Sequence, residues 1–175
     1  KTMTDITAFL DDDFAAARRE WKTLAERGDT AAQFNLGTMY EEGISVSKNY
    51  KTAVKWYKLA AEQGHIDAQF HLGVMYRLGE GVSKNNKTAI KWYRLAAKQG
   101  HAFAQNNLGW MYENGTGISK NHKMAVKWYR LAAEQGDIDA QFNLSLMYEH
   151  GKGVPRNYKT ALKWYKLAVE SSNAT

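Results

Sequence analysis

The chain contains no cysteine, a single proline and no long apolar run among its 175 residues. The absence of cysteine excludes disulfide bonds, thiolate catalysis and zinc sites built on thiolates. A membrane-spanning helix needs about 20 mainly apolar residues in succession, so we expect no transmembrane segment. Hydrophobic residues nevertheless make up 44% of the chain, which is too many for a disordered protein. The sequence therefore predicts a folded chain with a substantial core.

Enzymatic motifs are also missing. The sequence has no Walker-type loop, no dinucleotide-binding fingerprint and no arrangement typical of a catalytic triad. We therefore predict no catalytic residue and no cofactor. No histidine pair has the spacing of a zinc-binding H-E-x-x-H helix, so we predict no metal site. The five histidines are His65, His71, His101, His122 and His150.

A unit of 36 residues occurs four times and organises the sequence. Each unit contains a segment like AAQFNLGTMY and, after a glycine-containing turn, a segment like NYKTAVKWYKLAAEQG. Both segments carry apolar residues at helical spacing. Such self-similarity is typical of solenoids built from stacked helix pairs. The period is marked by Gly28, Gly64, Gly100 and Gly136.

Local signals predict where these helices begin. An asparagine oxygen can accept a free backbone N–H at a helix start. The expected caps of the second helices are Asn49, Asn85, Asn121 and Asn157. Asp13 is expected to cap a half unit, after a short separate helix over residues 5–11. We predict one domain over 1–175, with a cap and half repeat over 1–28 and repeats over 29–64, 65–100, 101–136 and 137–172.

Small residues interrupt the first helix of every unit. Glycine in a helix costs about 1 kcal/mol relative to alanine, so a recurring glycine indicates a recurring benefit. We expect close approach of the partner helix at a small residue such as Ala53. The positions concerned are Gly37, Gly73, Gly109 and Ser145.

The pattern A-x3-L-G-x2-Y, a turn with two glycines, and K-A-x2-W-Y-x2-A-A-x2-G resembles the Sel-one-like repeat family, a relative of the tetratricopeptide repeats. The match covers about residues 29–171. It implies an all-α, right-handed superhelical solenoid whose first helices line the concave side. Ser45 departs from the pattern, because later units place Gly81, Gly117 and Gly153 there. We therefore expect the first turn to differ in shape.

The resemblance also implies a function. Family members are usually adaptors that assemble other proteins, and many bacterial members are exported to the envelope or act on host proteins. The resemblance therefore favours an exported, periplasmic or secreted protein, with a cytoplasmic location also open. The oligomeric state is left open.

A helical wheel predicts which residues contact a partner. The positions opposite the buried face of each first helix vary between units and include aromatic residues. An apolar patch rimmed by polar groups is typical of a binding site, so we predict a groove that holds a peptide or helix of another protein. The alternative is that these rings only pack against neighbouring helices. The predicted partner-binding residues are Phe34, Thr38, Glu41, Asp67, Phe70, Val74, Arg77, Phe103, Asn106, Trp110, Glu113, Phe142, Leu146 and Glu149.

The outer face of the second helices is basic, and the chain has a net charge of +6. This lysine ladder favours either a weak contact with an anionic surface or membrane, or simply a solvated face. The tryptophans beside it are expected to pack between repeats, so we predict no nucleic-acid partner. The ladder comprises Lys51, Lys55, Lys58, Lys87, Lys91, Arg94, Lys123, Lys127, Arg130, Lys159, Lys163 and Lys166.

One spacing keeps a remote enzymatic alternative open. Ser45 and Lys48 fit the S-x-x-K spacing of hydrolases that act on β-lactams, and some cysteine-rich relatives have been linked to penicillin binding. The companion motifs S-D-N and K-T-G are absent. Lys84 and Lys120 occupy the place of Lys48 in later units, so the repeated loop explains the lysine.

Overall fold

The computed structural model describes residues 3–174, with side chains from Asp13 onward. The chain divides into two compact units, Lys1–Lys84 (unit 1) and Asn85–Thr175 (unit 2). Unit 1 contains α1 (Met3–Glu26), α2 (Thr30–Glu42), α3 (Tyr50–Glu62) and α4 (Ile66–Leu78). Unit 2 contains α5 (Asn86–Lys98), α6 (Ala102–Asn114), α7 (His122–Glu134), α8 (Ile138–His150) and α9 (Tyr158–Asn173). Over these described residues the chain is all-α, as predicted, whereas a single domain over 1–175 stays a prediction.

The helices alternate between two types. We call α2, α4, α6 and α8 first helices, and α3, α5, α7 and α9 second helices. The second helices begin at the predicted asparagines. Asn49, for example, accepts the backbone N–H of Thr52 at 3.0 Å, and the other three caps repeat this bond.

Histidine or aspartate caps the first helices. The Nδ1 atoms of His65 and His101 accept the backbone N–H groups of Ala68 and Ala104, at 3.2 Å and 3.1 Å. Asp29 and Asp137 occupy the equivalent places and accept in the same way. The repeated position of two of the histidines therefore has a structural cause.

The N-terminal prediction is wrong. Helix α1 runs unbroken from Met3 to Glu26, so residues 5–11 do not form a separate helix and Asp13 caps nothing. No glycine or proline interrupts this segment, and its alanine, leucine, arginine and glutamate residues are good helix formers. The acidic run at 11–13 therefore lies inside a helix, although the side chains of residues 11 and 12 lie outside the described part.

Each unit packs consecutive helices around its own core. In unit 1, α2 packs against α1 and α3, and α3 packs against α4. Around α2, the side chains of Ala25, Leu36, Met39 and Trp56 form one buried cluster. In unit 2, each helix from α5 to α9 packs against the next. The largest fully buried side chain of its cluster around α7 is Tyr129.

The recurring glycine does permit close approach, but the partner is a tyrosine ring. A Cβ atom on Gly37 would lie 2.5 Å from Cδ1 of Tyr57, and one on Gly109 would lie 2.7 Å from Cδ1 of Tyr129. In the third repeat the carbonyl of Ala125, the equivalent of Ala53, is also near, at 3.2 Å from a Cβ on Gly109. The tyrosine ring lies so close to the first helix that a Cβ atom does not fit between them.

The first turn has the same shape as the later ones. Ser45 adopts φ 56°, close to the φ of 70° at Gly81 and 71° at Gly117. The expectation of a different turn is therefore wrong. The serine is instead held in a left-handed conformation that residues with a Cβ rarely adopt.

Candidate interaction surface

The first helices of unit 2 expose aromatic side chains. Helix α6 buries Ala104, Leu108 and Met111, which turns Phe103 and Trp110 away from the core. Their side chains are 61% and 44% exposed, and Phe142 on α8 is 43% exposed. Large aromatic side chains, tryptophan above all, are typical anchors of protein interfaces. The wheel-based prediction therefore placed these three rings on the correct side of their helices.

Polar residues flank those rings. The Asn143 side chain donates a hydrogen bond to Asn106 at 3.1 Å, which links α8 to α6. Glu113 accepts the Tyr129 hydroxyl at 2.7 Å and lies 3.7 Å from Nζ of Lys152. Burial, together with the Glu113 carboxylate, raises the pKa of Tyr129 well above its ordinary value. The phenol therefore stays protonated and acts as a donor.

The remaining two predicted residues of unit 2 lie at its C-terminal side. Leu146 is partly buried and Glu149 is exposed on α8. Both line a cavity of about 340 Å³ between α8 and α9, together with Leu162 and Tyr165. Those two α9 residues were not among the predicted contacts, although both are about half exposed.

The corresponding face of unit 1 is largely closed. The Phe34 ring stacks on His65, with ring centroids 4.6 Å apart, and lies 5.7 Å from the Tyr57 ring. The Thr38 hydroxyl lies 3.2 Å from the Tyr57 hydroxyl and 3.2 Å from the Phe34 carbonyl oxygen. Phe34 therefore packs against neighbouring helices, which is the alternative that the sequence left open, and is not an exposed anchor.

A partly buried carboxylate, that of Glu41, completes this arrangement. Glu41 accepts a hydrogen bond from the Tyr57 hydroxyl, and its Oε2 lies 3.0 Å from Nδ1 of His71. Burial disfavours the charged form of Glu41, but the bonds from His71 and Tyr57 and the nearby Lys48 outweigh it. The pKa of Glu41 is therefore held below its ordinary value. The cluster joins α2, α3 and α4 around one negative charge.

The predicted residues on α4 are all partly buried. Phe70 and Val74 lie on the outer side of the helix, whose buried residues include Ala68, Leu72 and Met75. Asp67 lies in the first turn and Arg77 in the last. At these places a negative and a positive charge interact favourably with the helix dipole.

Much of the lysine ladder contacts the protein itself. The Nζ atoms of Lys55, Lys91, Lys127 and Lys163 lie 5.1 to 5.8 Å above the ring of the neighbouring tryptophan. Such cation–π contacts contribute about 0.5–1 kcal/mol at exposed sites. Arg130 donates to the Tyr148 hydroxyl at 2.7 Å, and Arg94 to that of Tyr112 at 3.2 Å. The ladder therefore has structural roles besides its charge.

The remaining sequence candidates are not assembled into a site. The Ser45 hydroxyl is buried without a hydrogen-bond partner, and Nζ of Lys48 lies 5.5 Å from the Tyr50 ring centroid. Among the side chains from 13 to 174, no group of three metal-binding residues occurs. No described helix is long and apolar enough to cross a membrane. Trp56, Trp92 and Trp128 are buried, as expected for packing residues.

Sequence reasoning missed the role of the second-helix tyrosines. Tyr57 and Tyr129 are buried in the core, but their hydroxyl groups donate to acidic residues on the first helices. A signal was present: glutamate occurs sixteen residues before each of them. The role of His71 was also missed, although the first, third and fourth repeats have asparagine at the equivalent position, namely Asn35, Asn107 and Asn143.

Comparison with known proteins decides the family. The Sel1 repeat model matches residues 30–65, 66–101, 102–137 and 138–173, which together exceed half of the chain. The chain belongs to the Sel1 repeat family. Proteins of this family are generally scaffolds for protein–protein interaction and are typically not enzymes.

Two solved structures and one viral protein resemble this Sel1 repeat chain. The protective antigen c5321 of uropathogenic Escherichia coli is 41% identical over 89% of the chain, with a TM-score of 0.86. A Sel1 repeat protein from Oxalobacter formigenes is 38% identical over 93%, with a TM-score of 0.80, and the match covers 70% of that protein. The Sel1-like protein L18 of Acanthamoeba polyphaga mimivirus is 54% identical over 35 residues, 20% of the chain. The matches cover only 33% of c5321 and 6% of L18.

Proposed function

We propose that this Sel1 repeat chain is a scaffold that binds a peptide or helix of another protein on the outer faces of its first helices. The observation that carries the proposal is the exposure of Trp110, with Phe103 and Phe142 in the same unit. A tryptophan ring left in water retains a large apolar surface whose burial by a partner is favourable. Tryptophan is also among the residue types most enriched at the energetic centres of interfaces.

Exposure and internal contacts support a choice of anchors among the predicted residues. Trp110 and Phe142 are the proposed anchors, whereas Phe34 and Glu41 are occupied by contacts within unit 1. In unit 2, Asn106 and Glu113 are proposed to orient the bound segment, and Leu146 and Glu149 remain proposed contacts. In unit 1, the α4 residues Asp67, Phe70, Val74 and Arg77 remain proposed contacts by themselves.

Position-specific crosslinking tests the proposal. A photoreactive phenylalanine analogue is introduced at Trp110 and, as the control, at Leu95, which is exposed to a similar extent but lies on a second helix. Lysate from the native host is then irradiated with each variant. We expect one discrete adduct from position 110 and none from position 95. Equal adducts from both positions, or no adduct from either, would exclude this surface as the partner-binding site.

Salt dependence separates this proposal from the anionic-surface alternative. Binding through exposed lysines weakens steeply with added salt, because counterions compete for the partner. Binding through buried aromatic rings does not. For the crosslinked partner, we expect Trp110→Ala to weaken binding at least tenfold, and a change from 50 to 300 mM salt to alter it less. A salt effect larger than that of Trp110→Ala would favour the lysine ladder instead.

We also propose that the chain has no hydrolase activity of its own. Lys48 lies against Tyr50 and does not bond to the buried Ser45 hydroxyl, so the pair lacks the contact between nucleophile and base that acyl transfer requires. A nitrocefin assay on the purified protein should show no turnover above background.

A further inference from the structure

A cavity of about 310 Å³ lies in unit 1 among α1, α2 and α3. Its floor is apolar, because the Leu36 and Trp56 side chains there are only 1% and 7% exposed. Its rim is basic, and none of the described residues that line it is acidic. We call it the basic cavity, and its lining residues are Arg18, Arg19, Lys22, Leu36, Tyr40 and Trp56.

Arg18 departs from the repeat pattern at this place. Its equivalents on the second helices, Val54, Ile90 and Val126, are 8%, 5% and 4% exposed, so the position elsewhere belongs to the apolar core. Arg18 is instead partly buried, and its Nη1 atom donates to the Ser45 carbonyl at 3.3 Å. This bond uses one of the five N–H donors of the guanidinium and holds the side chain beside the cavity.

The side chains of Lys22 and Tyr40 also differ from those of unit 2. There, Arg130 donates to the Tyr148 hydroxyl at 2.7 Å. Lys22 and Tyr40 occupy the equivalent places in unit 1, but within the part of the chain that the structure describes no hydrogen bond joins their side chains. Both line the basic cavity instead. The ammonium group and the hydroxyl group can therefore bond to a ligand there.

The three cations of the rim are arranged unfavourably for a site without an anion. Arg18 and Lys22 lie four residues apart on α1, and like charges at that spacing destabilise a helix. Arg19 lies between them in sequence, and the Lys55 Nζ atom, 5.1 Å from the Trp56 ring centroid, adds positive charge on α3. Partial burial of the Arg18 guanidinium beside other cations costs free energy that a bound anion would offset.

These features select the chemistry of the ligand. Arginine and lysine are the side chains that bind phosphate groups in proteins, and a phosphate monoester carries a charge of about −1.5 to −2 at neutral pH. The rings of Tyr40 and Trp56 favour an aromatic group beside the phosphate. Small-molecule sites have volumes of about 300–1,000 Å³, so a cavity of about 310 Å³ fits a ligand at the small end of that range.

We propose that the basic cavity binds a small aryl phosphate monoester. The phosphate group lies on Arg18, Arg19 and Lys22 and accepts a further hydrogen bond from the Tyr40 hydroxyl. The aromatic ring of the ligand lies against Leu36 and Trp56. None of these residues belongs to the partner-binding surface proposed above, and the site does not depend on it.

Calorimetric titration of the full chain with phenyl phosphate tests the proposal. We expect saturable binding, with inorganic phosphate bound roughly tenfold more weakly because it lacks the ring. Benzoate has the ring but less negative charge, and it should also bind roughly tenfold more weakly. A short phosphotyrosine peptide should bind no more tightly than phenyl phosphate, because the cavity has the size of a small molecule.

Substitutions locate the binding site. Arg18→Val restores the residue type that stands at Val54 and should therefore keep the fold, but it should weaken phenyl phosphate binding by roughly ten- to a hundredfold. Lys22→Ala should weaken binding roughly tenfold. Lys58→Ala removes the equivalent lysine one repeat later and, as the matched control, should leave the affinity unchanged. Circular dichroism should show unchanged helicity for all three variants, and Lys22→Ala decides the test if Arg18→Val does not fold.

Several outcomes would overturn the proposal. The absence of saturable binding, or equal effects of Lys22→Ala and Lys58→Ala, would show that the basic cavity is not the site. Equal affinities for phenyl phosphate and inorganic phosphate would indicate an adventitious ion only, and tighter binding of benzoate would exclude phosphate as the preferred group. Tighter binding of the phosphotyrosine peptide would assign the cavity to a modified protein instead of a small molecule.

Discussion

The first-helix faces of the two units share one backbone design but expose different chemistry. In unit 1, the Phe34 ring on α2 packs on the Tyr57 ring, and the Thr38 hydroxyl lies 3.2 Å from that of Tyr57. In unit 2, helix α6 has Asn106 where α2 has Phe34, and Trp110 where α2 has Thr38. Between α2 and α6 the aromatic ring therefore moves by four residues, and Trp110 is 44% exposed.

A second pair of positions follows the same change. His71 in unit 1 stacks on Tyr57 and contacts Glu41, whereas its equivalent in unit 2, Asn143, bonds to Asn106. The aromatic pair Phe34 and His71 is thus replaced by an asparagine pair. The repeat fixes the helices, and these three variable positions distinguish the closed face around α2 from the more exposed face of α6.

The contact that both units share should be the most sensitive to change. A Cβ on Gly109 would meet Tyr129 and the Ala125 carbonyl, neither of which has free space to move into. We expect Gly109→Ala to lower the free energy of unfolding by about 2 kcal/mol through overpacking, despite the better helix propensity of alanine. Urea unfolding followed by circular dichroism measures this loss.

The fourth repeat provides the control for that experiment. Ser145 occupies the place of Gly109, and its Tyr165 is half exposed rather than enclosed. Ser145→Ala should therefore change stability by only about 0.5 kcal/mol. Equal losses from Gly109→Ala and Ser145→Ala would show that the enclosed tyrosine is not the cause.

Acid should weaken unit 1 through Glu41. Because the folded state holds the pKa of Glu41 below the ordinary value of 4.5, the ionised carboxylate contributes stability above that value. The contribution is lost as the pH falls through the folded pKa. We expect Glu41→Gln to cost about 1.5 kcal/mol at pH 7, the scale of a hydrogen bond to a charged group, and to flatten the loss of stability between about pH 5 and pH 3.

Glu62→Gln is the matched control for acid sensitivity. Glu62 is exposed, and its Oε1 lies 3.9 Å from Nζ of Lys58. Ion pairs at the surface contribute little to the free energy of unfolding. Its pH profile should follow that of the unmodified protein. If the Glu41→Gln variant lost stability in acid as steeply as the unmodified chain, the Glu41 carboxylate would not be the source of the acid sensitivity.

Transplanting the asparagine pair tests whether the variable positions alone distinguish the units. Phe34→Asn and His71→Asn should each destabilise unit 1. The double variant should recover about 1 kcal/mol relative to the sum of the two, because the two amides can form the bond that Asn106 and Asn143 make. Strict additivity in urea unfolding would mean that the backbone of unit 1 does not allow that bond.

The helical architecture was predictable because its signals are local and repeated. Asparagine caps, closing glycines and buried alanines recur every 36 residues, so each helix was indicated several times over. The N-terminal helix was misjudged where the repeat gave no second copy to compare. A possible cap at Asp13 then outweighed the absence of any helix breaker between residues 3 and 26.

The candidate surface was harder to predict, because exposure depends on neighbours distant in sequence. A helical wheel separates Trp110 from Leu108, but it does not show that Phe34 is covered by His65 from the next helix. The same limit applies to Tyr165, which is 47% exposed, whereas its equivalent Tyr129 is fully buried. The repeat pattern is the same at both positions and therefore does not predict the difference.

The smallest expected effect concerns the turn that departs from the repeat. Ser45 adopts a left-handed φ of 56°, which costs a residue with a Cβ roughly 1–2 kcal/mol, and its buried hydroxyl lacks a partner. Glycine removes both costs but adds backbone entropy to the unfolded chain. We therefore expect Ser45→Gly to raise the free energy of unfolding by about 0.5 kcal/mol. The reverse change, Gly81→Ser, should destabilise the protein, because the serine Cβ would collide with the Tyr50 carbonyl. If Ser45→Gly and Gly81→Ser both stabilised the protein, the left-handed backbone would not be the cause of either effect.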